Sequence, residues 1–173
     1  LCARVKLIHQ SAHSVELPVP VGQVGSPMNR DDLMSLCTDR RSFQQLNQVN
    51  LCTHYLGALS YHQRQALDQL TPLELSLGNG QSIKLRYETE QGAIMSTRFE
   101  WLFGINETPK ILNRPVLLEL LAPNMRPIQV TRDLASFWST GYPEVRKTLR
   151  GRYPKHPWPE DPLTAKPGVG RRK

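Results

Sequence analysis

The sequence predicts an α+β fold in which a small helical bundle precedes a β-rich part and an extended C-terminal segment. Three observations predict it: apolar residues recur at helical spacing as far as Leu70, the period changes to two after Pro72, and prolines become dense after Gly151. These changes place domain boundaries at residues 1–70, 71–132 and 133–173. With 39% hydrophobic residues the chain can bury only a small core, so we expect some segments to pack on protein outside it.

The first 70 residues are predicted to be helical. Helices are expected over residues 1–12, 29–37, 43–59 and 60–70. Asn29 is a suitable cap for the second helix, because its side chain can accept a hydrogen bond from a free amide of the first turn. Ser60 and Gln63 have the spacing of a capping box, and the last helix must end before Pro72.

The next segment alternates apolar and polar residues, which is typical of half-buried strands. Strands are predicted over residues 73–77, 83–87, 93–97, 115–121 and 127–130. Glycines at 78, 80 and 92 predict tight turns, and Gly104 is expected to end a short helix over 98–103. A helix between the third and fourth of five strands is the order of an OB-like β-barrel, although five short strands can be arranged in other ways.

The last 41 residues are predicted to form a short helix and an extended, basic, Pro-rich tail. Helices are expected over 133–138 and 142–149, the second with Pro143 in its first turn. Five prolines between Gly151 and Pro167 favour an extended chain, and the Gly/Arg/Lys-rich residues 168–173 are predicted to be disordered.

The positive charge is concentrated at the C-terminal end. Residues 141–173 hold nine Lys/Arg and three Asp/Glu, a net +6, whereas residues 1–140 carry a net +1. Such a basic segment favours an anionic partner such as nucleic acid. The alternative is a solvated tail, or one that pairs with acidic groups of its own protein.

Several kinds of chemistry are not predicted for this chain. It has no GxxxxGK phosphate loop and no catalytic signature, so no catalytic residue and no bound cofactor is expected. His9, His13 and Glu16 approach metal-ligand spacing without an HExxH pattern, which favours surface histidines and no metal site.

The cysteine spacing and the hydropathy of the chain indicate the compartment in which the protein is expected to lie. Three widely spaced cysteines without a CxxC pair favour buried thiols in a reducing cytoplasm. No apolar run of about 18 residues is present, so no membrane span is predicted. The chain begins with Leu1 inside a predicted helix, and we expect it to be part of a longer polypeptide.

Basic residues interleaved with aromatic residues form the candidate nucleic-acid site. Arginine and lysine neutralise phosphates while aromatic rings stack on bases, a combination typical of single-strand grooves. The candidate contacts are Arg146, Lys147, Arg150, Arg152, Tyr153, Lys155 and Trp158, with Arg126 and Arg132 as further phosphate contacts. The same features suit a strap that docks on another domain, with Trp158 as its anchor, and both interpretations stay open.

The predicted barrel carries a second group of candidates. OB-like barrels bind single strands with exposed basic and aromatic residues. The residues of these types are Lys84, Arg86, Tyr87, Arg98, Phe99, Trp101 and Phe103. Trp101 and Phe103 are more typical of a core than of a binding face.

Two long, unusually composed runs carry a resemblance to a known family. They are RPIQVTRDLASFW at residues 126–138 and YPEVRKTLRGRYPKHPWPEDPL at residues 142–163, preceded by LFGINETP at 102–109. This part of the chain resembles the C-terminal region of bacterial HrpB-type ATP-dependent helicases of the DEAH family.

The resemblance implies a motor that lies outside this chain. Two RecA-like domains would precede it and bind ATP and magnesium, and residues 1–70 would be the rear of an accessory helical domain. The implied partners are single-stranded nucleic acid, RNA in particular, and the helicase's own motor domains. The competing hypothesis is an architectural or protein-interaction module without direct nucleic-acid binding.

Overall fold

The chain divides into two compact units, Leu1–Thr71 and Pro72–Lys173. The structure, a computed structural model, describes residues 1–11, 15–20 and 30–167. The predictions of an Asn29 cap, of a surface position for His13 and of disorder over 168–173 concern residues outside these ranges. Within the described ranges, no helix combines the length and apolar composition that crossing a bilayer requires.

The first unit is helical, as predicted. Its helices are α1 Cys2–His9, α2 Arg30–Cys37, α3 Phe43–Asn47, α4 Leu51–Ala58 and α5 Tyr61–Leu70. On α1, Val5 and Ile8 are fully buried. The capping box of α5 is present: the Gln63 amide donates to Ser60 Oγ, and the Ser60 amide donates to Gln63 Oε1 at 2.9 Å.

One predicted helix is two in the structure. The single helix expected over residues 43–59 ends at Asn47, and α4 begins anew at Leu51. Asn50 adopts an extended backbone, and its side chain accepts a hydrogen bond from the Thr53 amide at 3.1 Å. This cap satisfies a free amide of the new helix, so the break is stable although the apolar spacing runs through it.

A buried arginine joins the first and last helices of this unit. Arg4 on α1 is 6% exposed, and its Nε donates to the carbonyl of Thr71 at 2.8 Å. Its Nη2 donates to the carbonyl of Leu67 at 3.1 Å and pairs with Asp68 Oδ1 at 2.7 Å. The guanidinium thus adds hydrogen bonds to carbonyls at the C-terminal end of α5, where its positive charge is favourable; the Leu67 carbonyl also accepts the Thr71 amide at 3.1 Å.

The cysteines are not buried as predicted. Cys2, Cys37 and Cys52 are all exposed free thiols. They lie on α1, α2 and α4, whose buried positions are taken by other residues, among them Val5, Leu36 and Tyr55.

The second unit is built on a five-stranded sheet. Its strands are β1 Glu74–Ser76, β2 Ser82–Glu88, β3 Gly92–Arg98, β6 Leu117–Leu121 and β7 Pro127–Thr131. They are arranged in the order β1-β2-β3-β6-β7, with β3 and β6 parallel and the other pairs antiparallel. A 3₁₀ helix, Phe99–Leu102, follows β3, and Gly104 ends it with a φ of 81°. The α+β class, the turns at Gly80 and Gly92 and the short helix between β-strands are therefore confirmed.

The sheet is not a closed barrel. β1 and β7 are its two edges, and no pairing joins them in the described part of the chain. A closed OB-like barrel needs that pairing, so the barrel prediction is not supported beyond a five-stranded sheet. β1, one of the two unpaired edges, has only three residues.

A small hairpin was not predicted. β4 Lys110–Ile111 and β5 Arg114–Pro115 pair as a separate two-stranded sheet. The two residues between them, Leu112 and Asn113, have φ values of 50° and 61°. A tight hairpin turn of this kind requires positive φ at both positions, where glycine and asparagine are the usual residues. Here the first position is a leucine.

One helical segment with a wide turn in its middle follows β7. It consists of α6 Leu134–Ser136, a π-turn over Phe137–Gly141 and α7 Tyr142–Leu149. The Tyr142 amide donates to the carbonyl of Phe137, five residues earlier. Phe137, Trp138 and Tyr142 lie in the core with Phe99 and Phe103, and their ring centroids are 4.9 to 6.5 Å apart.

Candidate nucleic-acid interface

The basic segment follows directly from α7. The amides of Arg152 and Tyr153 both donate to the carbonyl of Leu149, at 3.0 and 2.9 Å, and the His156 amide donates to the carbonyl of Tyr153 at 3.1 Å. Residues 150–155, the basic turn, therefore fold back over the end of the helix. Residues 151–167 contain no helix or strand and proceed through turns, so the uniform extension predicted for the tail is not seen.

Four cations of this segment face solvent. Lys147 on α7 and Arg150, Arg152 and Lys155 in the basic turn are exposed. Among the described residues, none of these four side chains has a hydrogen-bond or ion-pair partner. Positive charge at the C-terminal end of a helix is favourable because of the helix dipole, so these residues stabilise α7 while they stay available to an anion.

Arg146, the neighbour of Lys147, is placed differently. Its side chain is 25% exposed, and its Nη2 lies 3.3 Å from Glu160 Oε1. Its Nε donates to the carbonyl of Trp158 at 3.1 Å. Arg146 therefore binds the chain's own C-terminal segment.

Trp158 anchors that segment on the core. Its indole Nε1–H donates to the carbonyl of Tyr153 at 2.8 Å. Its ring lies 5.6 Å from that of Phe99, which is 1% exposed, at an interplanar angle of 31°. The sequence predicted either a strap anchor or a base-stacking residue, and the contacts of Trp158 are those of an anchor, although on its own unit.

Two further hydrogen bonds hold residues 156–163, the strap. The Tyr142 hydroxyl donates to the carbonyl of Pro159 at 2.8 Å, and the Gly104 amide donates to the carbonyl of Pro162 at 3.0 Å. Burial raises the pKa of Tyr142 to about 12, because the phenolate would lose its hydration. The neutral, donating form of Tyr142 is thus the one present at ordinary pH.

A buried carboxylate receives the strap's histidine. Glu100, in the 3₁₀ helix, is 4% exposed, and its Oε2 lies 3.3 Å from His156 Nδ1. Arg98 Nη1 lies 3.9 Å from the other carboxylate oxygen of Glu100. A carboxylate buried in an apolar unit needs such partners, so this contact fixes the strap to the short helix.

Tyr153, Arg126 and Arg132 complete the predicted set. The ring of Tyr153 is half-buried and meets that of His156 edge-on at 6.0 Å. Arg126 is exposed just before β7, and Arg132, after β7, donates from Nη2 to the carbonyl of Gln91 at 2.9 Å. Ile128 of β7 and residues of α7, the helix that carries Lys147, line an open groove of about 220 Å³.

The sheet candidates do not form a comparable site. Phe99 and Phe103 are buried in the core, as expected for Phe103, and Trp101 is half-buried. Arg86 pairs with Glu119 at 2.9 Å and with Glu88 at 3.2 Å.

Two further hydrogen bonds join polar side chains of the sheet to groups of the same unit. Ser96 Oγ donates to Glu119, and this hydrogen bond, together with Arg86, holds the pKa of Glu119 below its usual range. The Tyr87 hydroxyl donates to the carbonyl of Pro72 at 2.5 Å. Lys84 is exposed on β2.

Comparison with known proteins identifies the family. Residues 33–162 match the model of the ATP-dependent helicase C-terminal family, HrpB_C. The chain belongs to this family.

Its similarity to HrpB proteins extends to sequence and structure. It is 36% identical over 137 residues to the ATP-dependent RNA helicase HrpB of Escherichia coli K12, a match that covers 78% of this chain and 17% of that protein. A crystal structure of the E. coli DExH-box NTPase HrpB matches with a TM-score of 0.78 and 29% identity over 95% of this chain and 21% of that one. A crystal structure of the E. coli DEAH/RHA helicase HrpB matches with a TM-score of 0.63 and 28% identity over 90% and 20%. The chain spans about a fifth of the length of the HrpB proteins it matches.

Two residues of this HrpB-type region were missed from the sequence. Glu100 stands in the apolar run Phe99–Leu102, and a carboxylate in such a position signals a buried partner. Tyr142 was assigned only to a helix, because its hydrogen bond to Pro159 spans 17 residues and no local pattern predicts it.

Proposed function

We propose that this chain is the non-catalytic C-terminal accessory region of a cytoplasmic ATP-dependent RNA helicase, which contacts single-stranded nucleic acid and packs on the helicase motor. In this proposal ATP and magnesium bind to motor domains in another part of the polypeptide. Family membership supports the helicase, and the name of the E. coli relative supports RNA as the ligand.

The observation that carries the nucleic-acid part is the set of four exposed, unpaired cations at residues 147, 150, 152 and 155 in the described chain. Ordered cations without carboxylate partners keep their full charge for phosphates. Tyr153 lies among them with a half-exposed ring, which suits stacking on an unpaired base. Arg126 and Arg132 are the further phosphate contacts of this proposal.

The helical unit supports the packing part. Phe43, Tyr61 and Met34 are 85%, 76% and 60% exposed. Contiguous exposed apolar side chains mark surfaces that other domains cover, and in this proposal these three residues belong to such a surface. The motor domains are the partner of this proposal.

Salt-dependent binding tests the nucleic-acid contact. The affinity of the full chain for a labelled single-stranded RNA of about 16 nucleotides is measured by fluorescence anisotropy over a range of salt. Arg150→Ala with Arg152→Ala is expected to weaken binding and to reduce the slope of log K against log salt by about 0.7 for each phosphate that is no longer neutralised.

A matched control removes two exposed cations from the sheet unit. Lys110→Ala with Lys166→Ala changes the net charge equally and should leave the slope unchanged. An equal change of the slope in both double variants would mean that RNA is attracted by the overall charge and not by a defined site. If the Arg150→Ala, Arg152→Ala variant binds RNA as the wild type does, and the polypeptide that contains this region still unwinds its substrate, the architectural alternative is favoured.

That alternative has one specific observation in its favour. Arg146, Trp158 and His156, all in the basic aromatic stretch, contact their own unit. A purely structural strap needs these three residues and gives no role to the four free cations.

A further inference from the structure

Arg146 and Lys147 are adjacent on α7 and carry the same charge, yet they have opposite surroundings. The Arg146 side chain is held between the Trp158 carbonyl and Glu160, whereas Lys147 is exposed and unpaired among the described residues. A guanidinium donates from Nε and from Nη2 in fixed directions, so it can hold two acceptors at once. Lysine cannot reproduce that fork.

Trp158 acts at the other side of the same turn. Its Nε1–H donates to the carbonyl of Tyr153, a residue of the basic turn, while its own carbonyl accepts from Arg146. Its ring rests on Phe99, which is buried in the core. One residue therefore links the basic turn, α7 and the core.

We propose that Arg146 and Trp158 are positioning residues, which hold the basic turn in the shape that binds RNA, while Lys147, Arg150, Arg152 and Lys155 contact the phosphates. This inference rests on the proposed function and divides its candidate residues into two classes. It differs from the expectation that Arg146 and Trp158 touch the nucleic acid.

The physical reason is the entropy of a flexible loop. Without the contacts of Arg146 and Trp158, here called the clamp, residues 150–155 keep their backbone hydrogen bonds but lose the side-chain contacts that fix the turn, and the cations sample more separations. RNA would then have to order the turn on binding, which weakens affinity although every phosphate contact still forms in the bound state. The number of phosphates neutralised in the complex, and so the salt slope, stays the same.

The test uses charge-conserving variants of the full chain with the same labelled RNA. Arg146→Lys keeps the charge and loses the fork, and Trp158→Phe keeps an aromatic ring on Phe99 and loses the N–H donor to Tyr153. Both are expected to weaken binding several-fold, up to the order of tenfold, at every salt concentration and at an unchanged slope. Lys147→Gln is expected to reduce the slope by about 0.7.

Amide hydrogen exchange provides the second readout. In Arg146→Lys and Trp158→Phe the amides of Arg152 and Tyr153 should exchange faster, while those of the β3–β6 pairing keep the wild-type rates. In Lys147→Gln no amide of the turn should change.

The outcomes separate this inference from the proposed function. Wild-type affinity in Arg146→Lys and Trp158→Phe would overturn the clamp, since a direct phosphate contact survives in lysine and base stacking survives in phenylalanine. A lower melting temperature without a loss of affinity would also overturn the clamp, because Arg146 and Trp158 would then stabilise the fold without affecting RNA binding. If the wild-type chain fails to bind RNA, or Lys147→Gln leaves the slope intact, the proposed function fails as well.

Discussion

Two glycines in helical segments have opposite surroundings. A methyl group added to Gly57 in α4 would meet, among the described residues, no atom within 4 Å apart from its chain neighbours and the backbone of its own helix. One added to Gly141 would lie 2.6 Å from Gln129 Oε1 and 2.8 Å from Cδ2 of Phe137. The Gln129 side chain can move away, but Phe137 is 1% exposed and enclosed by other rings. Gly141 is therefore required by packing, and Gly57 is not.

Alanine substitutions at these glycines should change stability in opposite directions. Gly57→Ala is expected to raise the free energy of unfolding by up to about 1 kcal/mol, because alanine favours helix more than glycine does. Gly141→Ala gains the same propensity, but the clash with Phe137 should produce a net loss of about 1–3 kcal/mol. Urea unfolding of the two variants measures both values. A stabilised Gly141→Ala chain would show that the ring relaxes freely.

At the scale of elements, the start of α5 depends on two side chains. Ser60 and Gln63 each accept a hydrogen bond from the other's backbone amide. These two bonds satisfy donors that a helix terminus leaves free.

Removal of the Ser60 hydroxyl should therefore weaken the helical unit. Ser60→Ala is expected to lower the free energy of unfolding by about 1 kcal/mol. Gln65→Ala, on the exposed face of the same helix, should stay within about 0.5 kcal/mol of the wild type. Circular dichroism during urea unfolding compares them, and equal values would mean that the amides are satisfied by water at no cost.

Local signals predicted elements well where the decisive contact is itself local. The Ser60 and Gln63 box and Gly104 are each explained by bonds or dihedral angles within a few residues. The break at Asn50 was missed because Val49 keeps the apolar spacing while a single side-chain cap starts a new helix. The β4–β5 hairpin was missed because Leu112 occupies a position where glycine is the usual signal.

Non-local contacts explain the rest of what the sequence could not predict. Closure of a barrel depends on whether the first and last strands pair, and no property of either strand alone decides it. The candidate site has the same limit. Composition located the basic segment, but only the bonds of Arg146 to Trp158 and Glu160 distinguish it from Lys147.

At the scale of the whole molecule, each unit holds a tyrosine whose hydroxyl is buried. Tyr55 donates to the carbonyl of Pro18 at 2.6 Å in the first unit, and Tyr142 donates to Pro159 in the second. Burial raises the pKa of both phenols from 10.0 to about 12, and the charge of Cys2 adds to the effect at Tyr55.

Stability should consequently fall at alkaline pH. Because folding raises both pKa values, the folded chain favours the neutral phenols, and this contribution is complete below pH 10 and lost as pH rises towards 12. Urea unfolding at intervals across this range should show the decline. Tyr55→Phe and Tyr142→Phe should each make it shallower, at the cost of a lower stability at neutral pH from the missing hydrogen bond. A flat profile would mean that the phenols ionise freely in the folded state.

The wide turn between α6 and α7 has a consequence for the evolution of this region. The bond from Tyr142 back to Phe137 spans one residue more than a regular helix allows, so the turn accommodates an inserted residue. In a regular helix an inserted residue would turn every later side chain by about 100° around the axis, and the wide turn absorbs that rotation. Lys147 therefore keeps its outward direction and Arg146 its inward one, and deletion of one residue from the turn would restore a regular helix without changing the surface beyond it.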